Sequence, residues 1–206
     1  MENIFRATVA NWLTLVLVIL AAHCIFRTVR FFLQKGKMAG SRKPRAPLLM
    51  IPFRLGTYTV TFGAMGVLAY SAYTGTSSAE HHLTGFDLMT HATAAPVYIA
   101  SLVFTVLLWA HRNRFQEADW RRLRYPFSSK MGPRNSYAVL LRKIFFWIMV
   151  ALSIPAAVSV IISLFPLLTP ERQDSLLFWH RYTTLGVFLS GIIFVYLSMV
   201  AREPAQ

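Results

Sequence analysis

Apolar residues in this chain come in long runs and not in the interrupted pattern of a soluble core. Predominantly apolar stretches lie at about 9–24 (reaching towards 32), 55–73, 86–110, 144–168 and 176–200, separated by short polar links. Each is long enough to cross a hydrocarbon core of roughly 30 Å at about 1.5 Å per residue. Such segments form helices, because in lipid only a helix or a closed barrel satisfies every backbone hydrogen bond. The pattern predicts an all-α integral membrane bundle of five transmembrane helices. It divides into an additional N-terminal helix at 1–34, a basic linker at 35–54 and a four-helix membrane domain at 55–201. The first stretch reads as a retained anchor and not a signal peptide, since its leading residues are weakly charged and His23 stands where a lipoprotein cleavage box needs a small residue.

Composition agrees with the runs. Hydrophobic residues make up 55% of the 206 positions and charged residues 14%, against about 25% charged in an ordinary soluble domain. Disorder and a free cytosolic enzyme are excluded on these grounds. The net charge of +13 would suggest nucleic acid in a soluble protein. Here the charge tracks topology instead, so no nucleic-acid partner is expected. The link after the first stretch carries Arg27, Arg30, Lys35, Lys37, Arg42, Lys43, Arg45 and Arg54 without an acid. The link at 112–143 carries nine more basic residues, and the tail adds Arg202. Eighteen of the 21 Lys and Arg therefore fall on one side. The positive-inside rule makes that side cytoplasmic, with the N-terminus outside and the C-terminus inside. Trp12 and Trp179 then fall near the outer boundary and Trp109 and Trp147 near the inner one. The basic links also suit anionic lipid or an acidic partner face, although orientation alone accounts for them.

Candidate chemistry rests on histidine. The single cysteine, Cys24, excludes an internal disulfide, a cysteine zinc site and a protein-ligated iron–sulfur cluster. No C-x-x-C-H, G-x-S-x-G, H-E-x-x-H or Walker sequence is present. His81 and His82 lie in an outer link, as solvated residues or as a metal or partner site. His91 follows Asp87 by four residues and His180 follows Asp174 by six, each at the outer end of its span. Two imidazoles at matched depth on two helices are what a bis-histidine haem b requires. Two interfacial histidines facing water are the plainer alternative. Gly63, Gly66 and Gly186 would leave room for a flat porphyrin or, equally, for close helix packing. Arg181 is placed to pair with a haem propionate or to face solvent. His23 and His111 lie towards the inner side and would hold a second haem only if their helices touch. His91 and His111 are 20 residues apart, about 30 Å along a helix, so one haem cannot bridge them.

The stretches FRLGTYTVTFGAMGVLAYSAYTG, GFDLMTHATAAPVYIASLVFTVLLWAHRNRF and LLFWHRYTTLGVFLSGIIFVYLSM resemble, in order, the first, second and fourth helices of a known family. It is the cytochrome b membrane subunit of respiratory formate dehydrogenases and nickel–iron hydrogenases. The resemblance covers about Arg54 to Met199, with the first stretch as an added helix. It implies a subunit of a respiratory or photosynthetic redox complex in the bacterial inner membrane. Such a subunit passes electrons between a partner of iron–sulfur or cytochrome c type and quinone, and is not an enzyme on its own. Family members hold two haems. The outer one uses the second and fourth helices, where His91 and His180 stand. The inner one uses a histidine on the first helix and another about fourteen residues along the fourth. Here 55–73 contains no histidine, and the position fourteen after His180 is Phe194. The resemblance therefore implies one outer haem b and loss of the inner one. A haem-free anchor or scaffold subunit is the alternative. A transporter ranks last, because no Asp or Glu lies mid-span.

Overall fold

The computed structural model describes residues 50–77, 83, 85–125, 135–165 and 168–200, together with Leu15, Val18 and Ile19. Five helices fall within them: α1 (Met50–Ser77), α2 (Gly85–Trp109), α3 (Glu117–Arg124), α4 (Asn135–Ser163) and α5 (Pro170–Val200). No strand occurs among the described residues. The chain divides into two compact units, Met1–Arg54 and Leu55–Gln206. Apart from Leu15, Val18 and Ile19 the stretch at 9–24 lies outside the described residues, as do His23, His81, His82 and Trp12.

Three helices are long and apolar enough to cross a membrane, at Gly85–Trp109, Tyr137–Ser163 and Pro170–Met199. That marks the chain as a membrane protein. α1 has the length but is diluted by Thr57, Thr59, Thr61, Ser71, Thr74 and four glycines, and is not among the three. The helices also overrun the apolar stretches. α4 begins nine residues before 144 and α5 six before 176. Helical hydrogen bonding continues past the hydrocarbon boundary through residues such as Arg142 and Lys143, so hydropathy underestimates length at that end.

Hydroxyl groups within the apolar helices are satisfied locally. Thr59 donates to the Leu55 carbonyl at 2.9 Å, Ser153 to Met149 at 2.8 Å, Thr183 to Trp179 at 2.7 Å and Ser190 to Gly186 at 2.6 Å. This back-bonding lets a span carry polar residues without a partner helix. α5 opens at Thr169-Pro170-Glu171, with Pro at the first helical position and an acid in the first turn. Gly85 opens α2 at φ 54°, a left-handed conformation that glycine adopts without strain.

α4 and α5 run in close contact. Glycines on α5 make room for its neighbours: a Cβ on Gly186 would lie 2.7 Å from Leu152 Cδ1 of α4, and one on Gly191 2.8 Å from Met65 Sδ of α1. Without a hydrophobic drive between helices in lipid, such small-residue contacts and dispersion hold a bundle together. The core gathers Met65, Tyr98, Leu102, Trp109, Phe146, Met149, Val187 and Phe194. Trp109 is 5% exposed, with its ring centre 4.0 Å from that of Tyr58. It is packed in the core against α1 and is not exposed as an interfacial belt residue would be.

α3 was not legible as an element in the link at 112–143. It is pinned to the root of α4 by buried polar contacts. Lys143 Nζ meets Asp119 Oδ2 at 2.6 Å, with side chains 7% and 5% exposed. The same carboxylate oxygen accepts from the Gln116 N–H at 2.9 Å, capping the helix. Trp147 Nε1 donates to the Asn113 carbonyl at 3.0 Å, and Asn113 Nδ2 to the Trp109 carbonyl at 3.1 Å. Residues 113–124 are thus tied to the root of α4 at the end opposite His91 and His180.

Candidate cofactor site

All four long helices contribute to one spot. His91 lies in the first third of α2 and His180 in the first half of α5, and their ring centres stand 6.3 Å apart with planes at 74°. α1 brings Ser71, which is 1% exposed, with Oγ 2.9 Å from His91 Nδ1. α4 brings the Ala156 carbonyl, 3.0 Å from His180 Nδ1, and Ser159 Oγ at 3.4 Å from the same nitrogen.

The carbonyl contact decides where the His180 proton sits, and the serine contact suits the same tautomer at His91. A carbonyl can only accept, so His180 Nδ1 carries the hydrogen and donates it to Ala156. Ser71 Oγ donates its own hydrogen to the Leu68 carbonyl at 3.1 Å. With that hydrogen on Leu68, Ser71 accepts from His91, and Nδ1 of that ring is then the protonated nitrogen as well. Both neutral imidazoles then have a bare lone pair on Nε2. Neither Nε2 has a hydrogen-bond partner among the described residues.

The donor set can be tested against a bis-histidine haem. Metal-bound histidines usually donate Nδ1–H to a carbonyl or similar acceptor, which fixes the tautomer and orients the ring. His180 does so to a carbonyl, and His91 has Ser71 Oγ in the equivalent place. Two imidazoles with ring centres 6.3 Å apart and both Nδ1 atoms hydrogen-bonded would suit the two protein ligands of one haem. Among the described residues no cluster of three or more His, Cys, Asp or Glu side chains could hold a bare metal ion.

The other candidates fall as follows. Arg181 is half-buried beside His180, and Thr183 and Thr184 donate back to the His180 carbonyl at 3.1 and 2.7 Å. Gly63 and Gly66 are exposed, and a Cβ on either would meet nothing within 4 Å. Gly186 does not join the pair. It lies about 120° round α5 from His180 and serves the contact with Leu152. His111 is exposed in the turn after α2.

The position fourteen after His180 is filled. Phe194 is 2% exposed, and its ring centre lies 6.2 Å from Phe62, 6.4 Å from Tyr58 and 5.5 Å from Phe146. Aromatic packing of this kind occupies the part of the bundle away from His91 and His180. Ser71 and Ala156 were not found from sequence. A serine within an apolar stretch was the only signal for the first, and a backbone carbonyl leaves none. A scan of protein-family models, of curated proteins and of solved structures finds no match to this chain.

Proposed function

We propose that the chain is a b-type cytochrome subunit of a membrane redox complex, with one haem b held between His91 Nε2 and His180 Nε2. The observation that carries this reading is the facing pair of imidazoles at 6.3 Å with both Nδ1 atoms hydrogen-bonded. Haem b, when bound, supplies a one-electron couple. The protein's own part is to hold the two lone pairs in place. Ser71 and the Ala156 carbonyl lock the tautomers, and each hydrogen bond increases the electron density on its ring. Arg181, next to His180 in the chain, is the cation that would meet a propionate. The core around Met65, Met149 and Val187 keeps water from the bundle's middle.

Five transmembrane helices with a cytoplasmic basic side would set the haem near the outer face, in a multi-pass protein of the bacterial inner membrane. The aromatic cluster around Phe194 leaves no histidine pair in the inner half among the described residues. Electrons would then pass between a partner of iron–sulfur or cytochrome c type and quinone in the outer half. The protein would serve as an electron-transfer subunit and not as a separate enzyme.

His91→Ala and His180→Ala should each abolish a b-type absorbance in the purified protein, and His111→Ala should leave it intact. Full haem retention in both of the first two variants would refute the ligand assignment. A well-folded protein without haem from haem-replete cells would make the chain a haem-free anchor, with the histidines as polar packing.

A further inference from the structure

α3 carries a surface that neither the bundle nor the cofactor uses. One side of it is buried through Asp119 on Lys143. The other side shows Trp120 at 60% exposure, Leu123 at 44% and, just beyond the helix, Tyr125 at 58%. Arg121 and Arg124 stand beside them, also exposed. Trp120, Arg121, Leu123, Arg124 and Tyr125, with Glu117, line an open concavity of about 570 Å³. Arg121 pairs with Glu117 at 2.9 Å, both exposed. Such surface pairs contribute little and exchange readily. Arg124 forms no ion pair among the described residues.

The position of α3 selects the partner. It connects the end of α2 to the start of α4, two helices able to cross a membrane, so it sits where both leave the hydrocarbon. Exposed indole and leucine beside arginines are what a helix lying in a headgroup layer presents. An acidic protein face would match the arginines but would leave Trp120 and Leu123 without an apolar environment. We propose that this concavity binds the phosphate headgroup of an anionic phospholipid, with Arg121 and Arg124 on the phosphate and Trp120 and Leu123 against the upper acyl chain. A guanidinium fork matches phosphate oxygens in a bidentate contact. The buried Asp119–Lys143 pair holds the helix in place beforehand, so binding need not order it.

The test uses the full chain in phosphatidylcholine nanodiscs containing brominated phosphatidylglycerol or, at equal mole fraction, brominated phosphatidylcholine. Bromine quenches tryptophan on contact, and the Trp120→Phe variant identifies the part of the signal that belongs to Trp120. The expected result is stronger quenching of Trp120 by the anionic lipid. Its relative affinity should fall about fivefold for each of Arg121→Gln and Arg124→Gln. Equal quenching by the two lipids would overturn the proposal, as would an unchanged preference in the double variant. Displacement of the lipid by an equal concentration of inorganic phosphate would also overturn it, because the site would then take free phosphate.

Discussion

Ser71→Ala is the sharpest probe of the cofactor site, because it removes one acceptor and leaves both ligands. Ser71 Oγ lies 2.9 Å from His91 Nδ1 and is 1% exposed, so water does not readily replace it. A buried donor left without its acceptor costs about 1–3 kcal/mol. Loss of a histidine's outer hydrogen-bond partner typically lowers metal affinity about 10–100-fold, which is the same range expressed as binding. The ring also donates less electron density once Nδ1–H is unpaired, so the ferric form loses more than the ferrous one. If about 1 kcal/mol of that loss falls on the ferric form alone, the midpoint potential rises by about 40 mV for one electron. Redox titration and haem per polypeptide on the purified variant measure both effects. Ser159→Ala is the internal control. Its oxygen is 3.4 Å from His180 Nδ1, and the Ala156 carbonyl at 3.0 Å remains, so its shift should be less than half as large. Identical occupancy and potential in wild type, Ser71→Ala and Ser159→Ala would refute the tautomer argument.

Two further outcomes are expected. Lys143→Met should leave the Asp119 carboxylate buried and unpaired, destabilising the bundle by about 3–5 kcal/mol. Asp119→Asn in the same chain should restore most of that, as thermal unfolding in detergent would report. Phe194→His should not install a second haem, because Tyr58, Phe62 and Phe146 already pack around that position. Haem per chain should stay at that of the wild type, and a doubled haem content would show that the inner half can open.

Long apolar runs and the helical state they impose were readable at once, because lipid leaves the backbone few choices. Three of the expected spans correspond to helices able to cross a membrane, while α1, with its threonines and glycines, is helical but less apolar. His91 and His180 could be singled out from depth on two helices. Their facing geometry required the packing of all four long helices, which no local pattern encodes. α3 went unrecognised because an eight-residue amphipathic helix is short and charged, and its stability comes from a lysine 24 positions away. Gly186 illustrates the opposite limit. A small residue in a membrane helix signals close approach without saying to what, and here the neighbour is Leu152.

The most direct measurement is a reduced-minus-oxidised absorbance spectrum of the purified full chain, with haem quantified per polypeptide. The His91–His180 account predicts a b-type spectrum at about one haem per chain. A folded protein from haem-replete cells with no haem band would contradict it.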